Sequence, residues 1–146
     1  MNQASYTIIS LSPANLKAIM AIERAVFTDP WSERSVLDEF SNGRVYGIFI
    51  NEKLAAFAVI RNVLDEAELL RIAVSKEYQR MGLAKGLMNY IEQEALNLKC
   101  HRLFLEVRSS NISAINLYLC VGFTHLCVRS CYYQNGEDAI IMQKLL

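Results

Sequence analysis

The chain has no excess charge, no metal-ligand spacing and no long apolar run, and each absence removes a class of function. Its 15 basic and 15 acidic residues cancel, so the overall field does not steer it toward nucleic acid. No apolar run approaches the ~18 residues of a membrane span, and the opening MNQASYTIIS has neither a basic segment nor an apolar core. A cytoplasmic protein without membrane attachment is expected. The four cysteines, Cys100, Cys120, Cys127 and Cys131, lack CxxC spacing, and His101 and His125 are the only histidines. No metal site is expected, and the cysteines read as small, mostly buried apolar residues of a reducing compartment. Linkers, repeats and low-complexity tracts are also missing, so residues 1–146 are read as one domain, long enough to bury a substantial core.

Two phosphate-binding signatures are absent as well: there is no GxxxxGK[ST], and no GxGxxG followed ~20 residues later by a ribose-binding acid. What is present is QRMGLA, Gln79 to Ala84, between the strand-like run Leu69 to Val74 and a helical pattern carried by Leu83, Leu87, Tyr90, Ile91, Ala95 and Leu98. A glycine at a turn into a helix lets backbone approach a ligand, and the helix's free N–H groups and positive end favour an anion. Small residues at 82 and 84 also suit packing alone, so the loop by itself leaves both readings open.

The remaining pattern alternates strands and helices. Tyr6 to Leu11 reads as a strand; Ser12 and Pro13 open a helix whose inward face is Leu16, Ile19, Met20, Glu23, Val26 and Phe27, with Glu23 read as a boundary residue leaning into solvent. A second helix is predicted from Ser32 to Phe40, ended by Asn42 and Gly43, then strands over Val45 to Ile50 and Leu54 to Val63 around the turn Asn51, Glu52, Lys53. Asp65, Glu66 and Glu68 read as a solvated turn before the Leu69 strand. After the long helix come a strand, Arg102 to Arg108, a helix capped by Asn111 and stopping at Gly122, and strands near Phe123 to Tyr133 and Ala139 to Leu146.

Several residues on these elements admit two readings. Glu106 alternates away from Leu103, Leu105 and Val107; a lone mid-strand carboxylate is more often solvated or arginine-paired than catalytic, with Arg102 or Arg108 as the partner. Tyr118 shares a helical face with Ala114, Ile115 and Val121, where core packing explains it without a ligand. Asn111 is accounted for as an N-cap.

The loop, together with LEVRSSNISAINLYLCVGF (Leu105 to Phe123), resembles the GNAT family of acetyl-CoA-dependent N-acetyltransferases. In that family [QR]xxGx[GA] forms the pyrophosphate loop, and Gln79, Gly82 and Ala84 fill its defined positions. The runs PWS (Pro30 to Ser32), LEVRxSN, AINLY, GF, and YY followed by GEDAIIM narrow the resemblance to the branch that acetylates the N-terminal alanine of a small-subunit ribosomal protein. It extends from residue 30 almost to the C-terminus; the tract QNGEDA after Tyr133 departs by being short, which bears on the shape of the acceptor groove.

The resemblance implies an α/β GNAT fold with a mixed sheet of about seven strands and about four helices, the order read above. It implies acetyl-CoA as co-substrate without a metal, and a protein N-terminal peptide as direct partner; the cancelling charges argue against ribosomal RNA as a direct ligand. Glu106 would then be the general base and Tyr118 the proton donor to the coenzyme A thiolate. The backbone of Ile72, Ala73 and Val74 would pair with pantetheine, aided by Asn111, and Gln79, Arg80, Met81, Gly82, Leu83, Ala84 and Lys85 would hold the pyrophosphate. Trp31, Tyr132, Tyr133, Glu137 and Asp138 are candidates for the peptide groove, the tyrosines reading equally well as ordinary strand aromatics. Two further functions stay open: a small-amine acetyltransferase acting on a polyamine, aminoglycoside or amino acid, and a non-catalytic acyl-CoA-binding module.

Overall fold

The computed structural model describes residues 5–146; residues 1–4, part of the stretch read as free of a targeting signal, lie outside the described residues. Strand β1 (Thr7–Ser10) leads through one 3-10 turn, Pro13–Asn15, into helices α1 (Leu16–Val26) and α2 (Glu33–Asn42). Strands β2 (Arg44–Ile50), β3 (Lys53–Val63) and β4 (Glu66–Val74) follow. Then come α3 (Leu83–Asn97), β5 (Arg102–Arg108), α4 (Ile112–Cys120), β6 (Thr124–Arg129) and β7 (Ala139–Leu145). The sheet runs β1-β2-β3-β4-β5-β7-β6. Its neighbours are antiparallel except β4 and β5, which are parallel. Parallel neighbours need a long crossover, and α3 supplies it.

Local chemistry sets the element ends. The Ser12 N–H donates to Asn15 Oδ1 at 3.0 Å, but the turn it opens is 3-10, so α1 proper starts later than the proline suggests, at Leu16. The Ser32 hydroxyl accepts from the Ser35 N–H at 3.1 Å and caps α2. Asn51 and Glu52 take φ of 49° and 65° between β2 and β3; two left-handed residues give the turn twist that matches the flanking strands.

Two apolar layers sandwich the sheet. On one face Leu87, Met88 and Ile91 of α3 and Tyr118 of α4 pack on Ile48, Ala58, Leu103, Leu105 and Val107. On the other, Ile19, Met20 and Ile22 of α1 and Val36 of α2 pack on Val45, Phe57, Val59 and Ala73. Central strand β3 is buried from Leu54 to Ile60 because both layers cover it. The second layer includes no residue of β5, β6 or β7. That half of the α1–α2 face is therefore left uncovered, and it forms the floor of the site.

Four expectations are corrected. Glu23 does not lean into solvent; it is fully buried, held by Arg71. The acidic patch is a turn only at Asp65, which with Leu64 (φ 57°) makes the reversal; β4 begins at Glu66, so Glu66 and Glu68 project from a strand. Only Cys100 is buried; Cys120 at the end of α4, Cys131 in the turn after β6, and Cys127 on the edge strand β6, whose six residues are all exposed, face solvent. That strand also stops at Arg129, short of the tyrosine pair, because Cys131 turns left-handed (φ 52°) and its N–H donates to Asp138 Oδ1 at 2.9 Å. Among the described residues no helix is long and apolar enough to cross a membrane.

Candidate active site

The site begins at a fault in the sheet. On β3, Val59 pairs with Arg71 and Ile60 with Leu69, so Leu70 of β4 is an extra, unmatched residue. Such a bulge bends its strand, and β4 parts from β5 at that point. Their pairing covers only Glu66–Leu69 with Arg102–Leu105, although β4 continues to Val74 and β5 to Arg108. Beyond the bulge, Ile72, Ala73 and Val74 keep their bonds to β3 but, among the described residues, have no strand on the other side. Unpaired strand backbone of this kind binds an extended amide-bearing ligand by strand addition.

The loop after β4 is shaped for an anion. The Gln79 side-chain amide donates to the Val74 carbonyl at 3.1 Å, tying the loop to the strand end. Arg80 has φ of 65° and Gly82, the N-cap of α3, has φ of 79°. A Cβ at Gly82 would meet no atom within 4 Å, so the space above it is open. The first helical bond of α3 runs from the Gly86 N–H to the Gly82 carbonyl at 3.0 Å, and Gly82 caps with no side chain. The N–H groups of Leu83, Ala84 and Lys85 thus lack helical acceptors and face the positive end of the dipole. These groups fit a pyrophosphate, and the free β4 edge fits the amide-bearing arm that would follow it.

Glu106 is the first residue of β5 past the paired stretch. Leu103, Leu105 and Val107 point into the α3–α4 layer, so alternation sends Glu106 to the open face. Its ion-pair partner is neither Arg102 nor Arg108, as the sequence suggested, but Arg129 of β6 at 3.2 Å. Arg102 is bound to Glu66 at 2.8 Å and Arg108 to Glu137 at 3.3 Å. Glu68 shares this open face; burial and then the Glu106 charge push its carboxyl up, against the pull of Arg61 and Arg129.

Tyr118 lies beneath the opposite face, 6% exposed and packed on Phe123 with ring centroids 5.9 Å apart. Burial, with a smaller push from Tyr133, raises its phenol to about 12. Base candidate and acid candidate thus belong to opposite faces of the sheet, Glu106 on the open face just past the β4–β5 pairing and Tyr118 in the α3–α4 layer. Asn111 Oδ1 accepts from the Ala114 N–H at 3.2 Å and is the N-cap of α4.

Of the groove candidates, the tyrosines gather at Glu106. Hydrogen bonding to Glu106 and that carboxylate's charge push the Tyr132 phenol up, and burial followed by Glu106 does the same to Tyr133. The two rings meet edge to face at 5.1 Å, and the Arg108 guanidinium lies 3.9 Å from the Tyr133 centroid. Glu137 and Asp138 are engaged within the protein. Glu137 accepts from the Ser110 N–H at 2.8 Å, and hydrogen bonds from Ser110, then Arg108, hold its carboxyl at about 2. Asp138 closes the β6–β7 connection through the Cys131 N–H. Trp31 stands on a different wall, in a recess of about 310 Å³ with Ser35, Asp38, Glu39, Asn42 and Arg61. Arg61 also borders a second recess of about 320 Å³ that includes Glu68 and Phe104 on the open face. Sequence reasoning missed Arg129, which no motif marks because β6–β7 register is not local. It also missed Arg71, whose isolation inside LLRIAV was the available signal.

The sequence pattern of the acetyltransferase (GNAT) family matches residues 16–123. The chain is 42% identical over 142 residues to the [ribosomal protein bS18]-alanine N-acetyltransferase of Escherichia coli strain K12, covering 93% of this chain and 95% of that one. It is 33% identical over 130 residues to the enzyme of that name from Haemophilus ducreyi, covering 85% and 89%. Its structure superposes on the crystal structure of the ribosomal-protein-S18-alanine N-acetyltransferase from Escherichia coli with a TM-score of 0.91 at 39% identity, over 97% of this chain and 94% of the other. Ard1 from Thermoplasma volcanium shares the fold, with a TM-score of 0.89 at 24% identity over 97% of both chains. A loop with free helix N–H groups, a parted parallel strand pair and a family pattern over most of its length together make this chain a member of the acetyltransferase (GNAT) family.

Proposed function

We propose that the protein transfers the acetyl group of acetyl-CoA to the N-terminal α-amino group of a protein, and that its acceptor is the N-terminal alanine of ribosomal protein bS18. The acceptor is taken from relatives that match this chain over nearly their whole length. The observation that supports the chemistry is Glu106 on the open face at the first residue of β5 past its pairing with β4, with Tyr118 in the layer beneath the other face. The reading makes the chain a single-domain cytoplasmic enzyme that meets its acceptor as a peptide, without binding RNA.

Acetyl-CoA supplies an activated acyl carbon and a thiolate leaving group. The loop from Gln79 to Lys85 holds the pyrophosphate on backbone N–H groups, with Arg80 and Lys85 adding charge, and the edge Ile72 to Val74 with Asn111 orients the arm. Glu106 takes a proton from the acceptor ammonium, so that the neutral nitrogen forms the C–N bond as the C–S bond breaks. An α-amine, with a pKa of roughly 7.7–8.0, is easier to neutralise at pH 7 than lysine at about 10.4, by roughly 3–4 kcal/mol. A carboxylate is an adequate base for the first and a poor one for the second. The Tyr118 hydroxyl, still protonated up to about pH 12, donates to the sulfur and is reprotonated from solvent; the amine's second proton and the one on Glu106 leave to solvent, for a net release of one proton. Trp31, Tyr132 and Tyr133 line the acceptor groove, whose loops Glu137 and Asp138 brace.

The test is a panel of amines incubated with acetyl-CoA and read by mass spectrometry: alanine-initiated peptides, the same peptides with a blocked N-terminus and an internal lysine, and spermidine. The reading expects acetyl on the free α-amine and little elsewhere. Preferential turnover of spermidine or the blocked peptides would replace it with the small-amine assignment.

A further inference from the structure

One arginine on the strand that bears the free edge holds the whole connector between α1 and α2. Arg71 follows the bulge residue Leu70 and precedes Ile72, and it projects toward the α1–α2 layer, where Glu23 is fully buried. Its Nε and one terminal nitrogen donate to the two Glu23 oxygens, each at 2.7 Å. The same guanidinium lies 3.5 Å from the Phe27 ring centroid and 5.1 Å from that of Trp31, and it donates to the Asp29 carbonyl at 3.4 Å. Glu23 completes the tie by accepting from the Trp31 N–H at 3.0 Å. Phe27, Asp29 and Trp31 all lie between the two helices; past the last α1 bond, from the Phe27 N–H to the Glu23 carbonyl at 3.0 Å, these side-chain contacts hold the connector.

We propose that Arg71, through Glu23, is the positioning residue that sets the acceptor wall carried by Trp31 in register with the acyl-bearing edge of β4. The proposal rests on the acetyltransfer reading above. A planar fork bound on both carboxylate oxygens and stacked on aromatics specifies position in a way that a hydrophobic contact or a lysine does not. A buried ion pair is often no better for stability than apolar residues of similar volume, which leaves geometry as what this pair contributes. The strand that orients the acyl group and the wall beside the acceptor recess thereby move as one body. Misplacing the acceptor by a fraction of an ångström lowers productive binding without touching the co-substrate.

The test uses the paired variant Glu23→Gln with Arg71→Met, which leaves no buried charge unpaired and keeps an oxygen for the Trp31 N–H. Arg71→Lys serves as the second variant, retaining the charge without the fork. Steady-state kinetics with an alanine-initiated peptide should show KM for the peptide raised about tenfold or more, while calorimetry gives acetyl-CoA affinity within about twofold of wild type. Trp31 is the only tryptophan, so its fluorescence reports the wall directly and should become more accessible to acrylamide in both variants. A folded variant with unchanged peptide KM overturns the proposal, as does equal weakening of peptide and acetyl-CoA. If wild-type enzyme does not acetylate the peptide, the function assignment is what fails, and the same comparison is made with whichever amine it does acetylate.

Discussion

The guanidinium of Arg129 on β6 reaches across β7 to lie 3.2 Å from the Glu106 carboxylate on β5. The arginine lies on the side of β5 away from β4, so the ion pair holds the carboxylate in one place on the open face. Glu106→Gln keeps shape and hydrogen bonding but removes the base, so kcat/KM at neutral pH should fall by ~10²–10⁴. The deficit should shrink as pH rises through the α-amine pKa near ~8. Arg129→Gln should lower kcat by less, because the base survives and only its orientation is lost. Rate measurements across pH on both variants check the pair.

Tyr118→Phe keeps the ring that packs on Phe123 and deletes the hydroxyl. Its kcat should fall while acetyl-CoA affinity stays near wild type, and raising pH should not restore it, since the wild-type phenol ionises only at about 12. Wild-type enzyme should show no alkaline loss of kcat from this group until pH approaches that value. A pre-steady-state measurement that isolates the chemical step, with melting controls, decides the matter.

Gly82→Asp places a carboxylate where a Cβ meets nothing within 4 Å and φ is 79°. The left-handed backbone costs a non-glycine residue ~1–2 kcal/mol, so the fold should persist with a lower melting temperature. Acetyl-CoA affinity should fall at least about tenfold, because the new charge meets the pyrophosphate at a helix N-terminus. Calorimetry on the folded variant reads both numbers.

Glu137 contributes stability that depends on acid. Its carboxyl lies at about 2 in the folded protein, against the ordinary 4.5 of a free glutamate, because hydrogen bonds from Ser110 and then Arg108 favour the ionised form. As pH falls the unfolded chain takes up this proton first, so the contribution is complete above about 4.5 and is lost on the way down to about 2. Urea melts of Glu137→Gln and wild type should therefore differ at neutral pH, draw together as pH falls below about 4.5, and converge only as pH reaches about 2.

Most of the fold was legible because its signals are local. Alternation placed β5 at Arg102–Arg108, and the Asn111 cap placed the start of α4. The loop glycine and the outward turn of Glu106 were readable for the same reason. What failed were residues whose state depends on partners far along the chain. Glu23 looked like a boundary residue because its arginine is 48 positions away. The Glu66–Glu68 segment looked like a turn because its pairing with β5 is nonlocal. Glu106 was matched to nearby arginines when the true partner comes from β6. The bulge at Leu70, which opens the sheet, leaves no compositional mark at all.

The central claim is transfer of acetyl from acetyl-CoA to a protein N-terminus. The most direct measurement is tandem mass spectrometry of unmodified ribosomal protein bS18 after incubation with this enzyme and acetyl-CoA. One acetyl group on the α-nitrogen of the N-terminal alanine, absent when Glu106→Gln enzyme is used at neutral pH, is the predicted result. Acetyl on lysine side chains with a free N-terminus, or equal α-acetylation by the Glu106→Gln enzyme, would contradict the account.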